Sequence, residues 1–214
     1  LTRNAFWRSL FLRVYGRAEL TVVLLSRAEE ELRSWGARGK IVRTTTLYEK
    51  NTVLPAPDRA GQKVRFIFLG RISRLKGIGD LLAAVAAMKT APEDYEVIVV
   101  GHGDKAGVVE DYRRQAQEMG IDDRVHFVGR KEKEEKMRCL ADADIYVFPS
   151  WTEGCPNSVL EAWGNGLFVI GTRVGALPDL LVSDRHGVLV DARCPEQLAA
   201  AMDCTCPGVL SANC

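Results

Sequence analysis

The chain has 214 residues, of which 47% are hydrophobic, so it can bury a substantial core. Its 29 lysines and arginines nearly balance 28 aspartates and glutamates, and the formal net charge of +1 excludes a basic footprint for nucleic acid or lipid over the whole surface. No run of about eighteen uncharged apolar residues occurs, so neither a membrane span nor a signal peptide is predicted and the expected compartment is the cytoplasm.

The first sixty residues differ in pattern from the rest of the chain. The segment AELTVVLLSRAEEELRSWGA predicts a short strand ending at Ser26, which would cap a helix with an acidic first turn. KIVRTTTLYEKNTV then predicts a strand that runs into an extended segment, and LPAPDRAGQK has the composition of a linker. We therefore predict that residues 1–60 are the tail of an amino-terminal α/β domain plus a linker, with a boundary near residues 51–62, and that the chain is a fragment.

Short apolar runs then alternate with longer amphipathic ones. The apolar runs are apolar at nearly every position, as strands covered on both faces must be; they occupy residues 64–70, 95–101, 125–129, 144–150, 167–172 and 187–190. Regular alternation of strand and helix predicts a doubly wound parallel sheet, a Rossmann-like α/β fold, over residues 61–203. Residues 204–214 show no periodicity and are predicted to be an irregular tail.

The six cysteines are scattered and do not form a disulfide or metal framework. Disulfide frameworks are expected mainly in much shorter secreted chains, so the cysteines are predicted to be reduced. Cys204 and Cys206 form a Cys-x-Cys pair that lacks the spacing of a zinc site. We therefore predict no metal site.

The segment after the first long strand, GRISRLKGIGDLL, combines glycines with positive charge. Gly70 and Gly77 free the backbone, Arg71 and Lys76 supply charge, and a helix follows. A helix start with nearby arginine and lysine is suited to a pyrophosphate, because both offer donors to its oxygens. The alternative is a solvated basic loop.

The segment after the second strand, VVGHGDKAG, resembles a truncated dinucleotide fingerprint. Gly101 and Gly103 allow close backbone approach, and Ala106 follows after only two residues. A tight strand-to-helix connection is the alternative interpretation.

The segment SWTEGCPNSVLEAWGNG places two glutamates eight positions apart, after a buried strand. Asn157 or Ser158 can cap a helix that starts near Val159, which would put Glu161 in its first turn and Glu153 on the loop facing it. Two carboxylates around a helix start could hold a polyhydroxylated ligand that carries phosphate. Alternatively, Glu161 caps the helix or stabilises its dipole and Glu153 is solvated.

These segments together resemble the carboxyl-terminal domain of family 4 retaining glycosyltransferases of the GT-B fold. The resemblance runs from about Val64 to about Met202 and rests on FLGRISRLKGIGDLLAA, IVVGHG, VHFVGRKEKEE, ADIYVFPSWTEGCPNSVLEAWGNGLFVIGTRVGALPDLL and HGVLVD. Glu153 and Glu161 match the Glu-x7-Glu element of that family. The chain departs from the usual pattern at Trp163, Gly164, Phe168, Ala176 and Asp179.

The resemblance implies a site for a nucleotide diphosphate sugar. Arg71 and Lys76 would hold the diphosphate, Glu153 would meet hydroxyls of the donor sugar, and Glu161 would bind the ribose. The donor-binding residues implied are Gly70, Arg71, Lys76, Gly101, Gly129, Arg130, Glu153, Gly154, Cys155, Asn157, Ser158, Val159 and Glu161, of which Arg71, Lys76 and Glu153 would also serve catalysis. Lys131 would flank the base together with Gly129 and Arg130.

The resemblance further implies sugar transfer, with retention at the anomeric carbon, to a glycan, lipid or small-molecule acceptor, without a cofactor or metal. Such an enzyme would act in polysaccharide biosynthesis, in the cytoplasm or attached peripherally to the inner face of a membrane through its amino-terminal domain. The fragment alone is expected to be inactive. The alternatives are a nucleotide-sugar epimerase of the same architecture, for which His102 at a strand end is the candidate histidine, and a non-catalytic nucleotide-sugar-binding fragment.

Overall fold

The computed structural model of the chain describes residues 5–45, 61–182 and 184–206. The predicted linker lies almost entirely outside the described residues. No helix within them is long and apolar enough to cross a membrane.

The amino-terminal part contains two helices and a two-stranded parallel sheet. In chain order the elements are α1 (Ala5–Tyr15), β1 (Leu20–Val23), α2 (Ser26–Ser34) and β2 (Lys40–Arg43). Its core is small and consists of Val23, Leu32 and Ile41 with a few partly buried neighbours. Helix α1 was not predicted from the sequence, and its Phe6 and Trp7 are largely exposed.

The predicted cap of α2 is wrong. The strand ends at Val23, Leu25 occupies the N-cap position without a side-chain hydrogen bond, and Ser26 is the first helical residue. The Ser26 amide instead donates to Oδ2 of Asp179 at 2.8 Å, far along the chain. The carboxylate of Asp179 therefore accepts a hydrogen bond from one of the backbone N–H groups that have no partner within the first turn of α2. The local sequence around Ser26 could not reveal this contact.

The larger unit is a six-stranded, wholly parallel sheet, as predicted. Its strands are β3 (Val64–Leu69), β4 (Tyr95–Val100), β5 (Val125–Gly129), β6 (Ile145–Phe148), β7 (Phe168–Thr172) and β8 (Gly187–Val190). The strand order is β5-β4-β3-β6-β7-β8. From β3 the chain therefore adds β4 and β5 on one side of the sheet, and then returns to add β6, β7 and β8 on the other side.

Helices cover both faces of this sheet. They are α3 (Ile78–Ala87), α4 (Val108–Glu118), α5 (Lys133–Ala141), α6 (Asn157–Gly164), α7 (Leu177–Leu180) and α8 (Pro195–Cys204). On one face Phe66 and Val97 pack with α3, α4 and α8, and on the other Ile67 and Tyr146 pack with α5, α6 and α7. Both faces are buried, which explains why the strands read as continuous apolar runs.

The end of the described chain belongs to this unit. Helix α8 ends at Cys204, and Cys206 is buried in the core. Burial raises the pKa of the Cys206 thiol to about 11. Among the described residues Cys204 is disulfide-bonded, so the prediction that all six cysteines are reduced is wrong for Cys204, whereas Cys139, Cys194 and Cys206 are free.

Candidate functional site

The candidate site lies where the strand order reverses, between β3 and β6. At such a point the loops after two adjacent strands lead in opposite directions and leave a crevice at their carboxyl ends. The loop after β3 contains Arg71 and Lys76, and the loop after β6 contains Glu153. The fold therefore brings together two segments that are 77 residues apart in sequence.

Backbone contacts hold these two loops against each other. The amide of Trp151 donates to the carbonyl of Leu75 at 2.9 Å. Gly77 has a φ of 71°, and a Cβ at this position would overlap the carbonyl oxygen of Pro149. Only glycine fits this position without displacing the backbone, because the conformation is left-handed and the neighbour is main chain.

The ion pair between Lys76 and Glu153 joins the two loops. Oε1 of Glu153 also accepts a hydrogen bond of 2.8 Å from the Ser150 hydroxyl. The Glu153 side chain is only 12% exposed. The interpretation of Glu153 as a solvated loop residue is therefore wrong, because its carboxylate is fixed between a lysine and a serine.

A second lysine and glutamate form a similar pair across two helices. Nζ of Lys136 on α5 lies 2.8 Å from Oε1 of Glu161 on α6, and both side chains are largely buried. Lys136 was not among the site residues predicted from the sequence. It is one of several lysines in KEKEEK, and no local signal distinguishes the one that points toward α6.

The predicted start of α6 is also wrong. The helix begins at Asn157, and Pro156 occupies the N-cap position with no side-chain hydrogen bond. Neither Asn157 nor Ser158 is the cap, and Glu161 lies in the second turn, beyond the reach of a capping box. The carboxylate of Glu161 is held by Lys136 instead.

The buried side chain of Tyr146 forms a hydrogen bond beneath the crevice. The Tyr146 hydroxyl donates to the carbonyl of Leu69, at the end of β3, at 3.0 Å. Burial raises the pKa of Tyr146 well above its ordinary value, although a hydrogen bond with the Ser158 side chain lowers it. The phenol therefore remains protonated and links the end of β3 to the start of α6.

The remaining predicted residues lie around this crevice. Arg71 is exposed and has no hydrogen bond or ion pair to any residue that the structure describes. Arg130 is exposed and pairs with Glu132 at 2.6 Å. Gly101 lies so close to Gly70 that a Cβ would overlap its carbonyl oxygen, so its role in the chain includes close packing of two strand ends.

The loop before α6 rests on the segment that follows β7. The amide of Ala176 donates to the carbonyl of Gly154 at 2.8 Å. A Cβ on Gly175 would overlap that carbonyl oxygen. Ala176, which departs from the usual family pattern, therefore contacts the loop that carries Glu153 and Gly154.

A cleft of about 1030 Å³ separates the amino-terminal part from the sheet and opens beside Glu153. Its lining includes Ser26 and Trp35 from one side, and Trp151 and Asp179 from the other. Burial by itself raises the pKa of Asp179, but the hydrogen bonds from Ser26 and the charge of Arg43 at 3.9 Å outweigh it, so the pKa lies below its ordinary value. Asp179 therefore remains ionised and holds the two sides together.

Metal-ligating side chains do not cluster in this region. Among the described residues, no group of three or more histidines, cysteines, aspartates or glutamates is arranged to hold a metal ion. The acidic groups of the crevice are paired with lysines instead.

Comparison with known proteins places the chain among glycosyltransferases. Residues 63–206 match the model of the family described as glycosyl transferases group 1. The D-inositol 3-phosphate glycosyltransferase of Corynebacterium jeikeium is 36% identical over 162 residues, which cover 69% of this chain and 39% of that protein. The amylovoran biosynthesis glycosyltransferase AmsK of Erwinia amylovora is 26% identical over 196 residues, covering 88% of this chain and 47% of that one. The chain thus spans less than half the length of these relatives.

Solved structures show the same fold. Sucrose-phosphate synthase from Thermosynechococcus elongatus superposes with a TM-score of 0.72 at 26% identity, covering 94% of this chain and 52% of that one. The Anabaena protein HepE in complex with UDP superposes with a TM-score of 0.77 at 19% identity, covering 92% of this chain and 57% of that one.

Proposed function

The chain belongs to the group 1 glycosyl transferases, and from this we propose that its crevice binds the nucleotide diphosphate sugar that donates the sugar. The observation that carries the proposal is the pair of lysine–glutamate contacts, Lys76 with Glu153 and Lys136 with Glu161, on either side of the start of α6. This arrangement offers cations for a diphosphate and carboxylates for hydroxyl groups within one crevice.

Each end of the donor has a suitable partner. The diphosphate would lie between Lys76, Arg71, which pairs with none of the described residues, and the positive end of α6. Glu153 would accept hydrogen bonds from hydroxyls of the sugar, and Glu161 from the ribose. Gly129, Arg130 and Lys131 would flank the base. The complexes of HepE with UDP and with UDP-glucose support a nucleotide-sugar ligand for this fold.

The mechanism proposed is electrostatic. When the glycosidic bond breaks, its electron pair goes to the leaving diphosphate, which gains negative charge. Lys76 and Arg71 would stabilise that charge, and Lys76 has three donors, so it could bind a phosphate oxygen while it remains paired with Glu153. In a front-side displacement the leaving phosphate would take the acceptor's proton, and the anomeric configuration would be retained. Neither step requires a metal.

The acceptor and the location of the protein are also proposed. The relative AmsK is named for amylovoran biosynthesis, which supports a glycan product. A lipid or a small molecule would serve equally as the acceptor, and the expected location is the cytoplasm or the inner face of a membrane.

The donor unit would comprise residues 61–203. No comparison favours an epimerase, and His102 is exposed on the loop after β4.

The test is a binding screen of the 214-residue chain against nucleoside diphosphates and their sugars. A ligand at 100 times its Kd should stabilise the fold by about 2.7 kcal/mol, which a thermal shift detects. We expect binding of one nucleoside diphosphate family, and no sugar transfer by this chain alone, because it spans less than half of its relatives. Absence of binding to every nucleoside diphosphate would contradict the donor site, and robust turnover would contradict the expected inactivity.

A further inference from the structure

Trp151 is surrounded by charged groups that the proposed donor site does not use. The Cζ atoms of Arg74 and Arg193 lie 5.2 and 4.5 Å from the centroid of its ring. Its indole N–H donates to Oδ2 of Asp80 at 2.6 Å. Two guanidinium groups from different loops thus contact one indole ring whose orientation a carboxylate fixes.

Both guanidinium groups keep their hydrogen-bonding edges free of contacts with the described residues. Within the part of the chain that the structure describes, neither Arg74 nor Arg193 has an ion pair or a hydrogen-bond acceptor for its side chain. Stacking on an indole uses the face of a guanidinium and leaves the N–H groups in its plane available. Nearby Arg173 differs, because it pairs with Asp191 at 3.6 Å and binds the carbonyl of Leu189.

The loop after β8 adopts an unfavourable conformation where it carries Arg193. The φ of Arg193 is 61°, in the left-handed region that residues with a Cβ rarely adopt. The side chain that contacts Trp151 is thus presented from a strained backbone position. Strain of this kind persists where the surroundings determine the conformation, and it is frequent at ligand-binding sites.

We propose that Arg74 and Arg193, held in place by Trp151, bind a phosphate monoester group carried by the acceptor. Two cations that stay in position before binding match an anion of nearly two charges, and each can bind it through two N–H groups. Asp80 offsets part of the positive charge but is already bonded to the indole.

The position of the cluster favours the acceptor over the donor. Trp151 lines the cleft that faces the amino-terminal part, and it lies two residues before Glu153, the proposed partner of the donor sugar. The diphosphate of the donor is assigned to Lys76 and the start of α6. An anion at Arg74 and Arg193 would therefore lie next to a residue of that cleft, because both guanidinium groups contact Trp151. This assignment to the acceptor rests on the proposed function, whereas the anion site itself does not.

The test follows the indole N–H signal of Trp151 by NMR while inorganic phosphate is added at constant ionic strength with UDP in excess. The chain has 4 tryptophans, and Trp151→Phe identifies the signal by its loss. We expect a saturable shift, with Kd raised about tenfold in Arg193→Gln and in Arg74→Gln, the loss expected for one charge-assisted hydrogen bond. Arg173→Gln is the matched control and should leave the Kd unchanged.

Further probes identify the chemistry of the anion. Acetate should bind far more weakly than phosphate, and equal binding would contradict a phosphate site. Glycerol 3-phosphate and vesicles containing phosphatidic acid distinguish a soluble phosphate from a lipid-borne one, and binding of neither would contradict the proposal. Arg193→Lys should also bind weakly, because lysine lacks the planar fork.

Two results of the titration would also overturn the proposal: a Trp151 signal that does not shift saturably, or an Arg193→Gln variant with unchanged Kd. Either would leave the cluster as a structural support for the loop. The titration is repeated without UDP. A protein that binds no nucleoside diphosphate and still shows the phosphate-dependent shift would refute the donor site and keep the anion site.

Discussion

Lys136 and Glu161 form an ion pair between adjacent helices, with 2.8 Å from Nζ to Oε1. The lysine side chain is 24% exposed and that of the glutamate 16%. This contact fixes one carboxylate oxygen and leaves the other oxygen of Glu161 to a ligand. Lys136 is thus a positioning residue in the proposed site.

Replacement of Lys136 by methionine should weaken the binding of a nucleoside diphosphate several-fold. Glu161 would lose the cation that orients it and would remain half-buried and unpaired, which disfavours its charged form. Isothermal titration calorimetry measures the effect. Arg138→Met is the control, because Arg138 lies on the same helix and makes an exposed pair with Glu134. Equal affinity in both variants would remove Lys136 from the site.

Substitution of the two glutamates should separate the two ends of the donor. Glu161→Gln should weaken nucleoside diphosphate and nucleotide sugar alike, because both contain the ribose. Glu153→Gln should spare the nucleoside diphosphate and weaken only the ligand that carries the sugar. Calorimetry with both ligands tests this after circular dichroism has confirmed folding. The assignment fails if Glu153→Gln costs the bare nucleoside diphosphate as much as the nucleotide sugar.

Replacement of Lys76 by alanine should weaken binding of the nucleoside diphosphate by about 1.5–3 kcal/mol, the range for a hydrogen bond to a charged group, and should spare the nucleoside. The substitution also leaves Glu153 without its cation. The double variant Lys76→Ala with Glu153→Gln removes that complication and should show the same loss of diphosphate binding. Equal losses for nucleoside and nucleoside diphosphate would identify Lys76 as a structural residue.

Gly77→Ala should lower the free energy of unfolding by more than about 1 kcal/mol, because the new Cβ would be forced into left-handed backbone beside the Pro149 carbonyl. Gly79→Ala is the matched control. Gly79 lies inside α3, where a Cβ would be 4.0 Å from its nearest neighbour, an atom of Tyr112. Alanine there should be neutral or stabilising, since it favours helix by roughly 0.5–1 kcal/mol over glycine. Urea unfolding measures both, and a Gly77→Ala variant as stable as the wild type would show that the two loops can separate.

The contact between Ser26 and Asp179 should depend on pH. The folded pKa of Asp179 is lowered, so its contribution is complete above its unfolded pKa, near 3.8, and is lost as the pH falls through the folded value. Asp179→Asn should remove this dependence and increase amide hydrogen exchange at the start of α2. Asp184→Asn, in the loop before β8, is the control. Exchange at α2 that is unchanged in Asp179→Asn would show that other contacts hold the two parts together.

Local sequence determined the architecture of the larger unit. All six strands of the sheet were predicted to within about two residues, for example 64–70 against the observed Val64–Leu69. A strand buried on both faces must be apolar at nearly every position, and this requirement is visible in any short window. The positions of Arg71, Lys76 and Glu153 at strand ends followed directly, because carboxyl ends of parallel strands share one edge.

Helix starts and side-chain partners were decided by tertiary structure. Ser26 and Ser158 have the residue type of a cap, but Asp179 meets the amide of Ser26 from 153 positions away, and Pro156 takes the N-cap position of α6. Lys136 pairs with Glu161 from 25 positions away and across a strand. Charge and hydrogen bonding depend on distances in space, and these were set only when the apolar faces of the helices packed on the sheet.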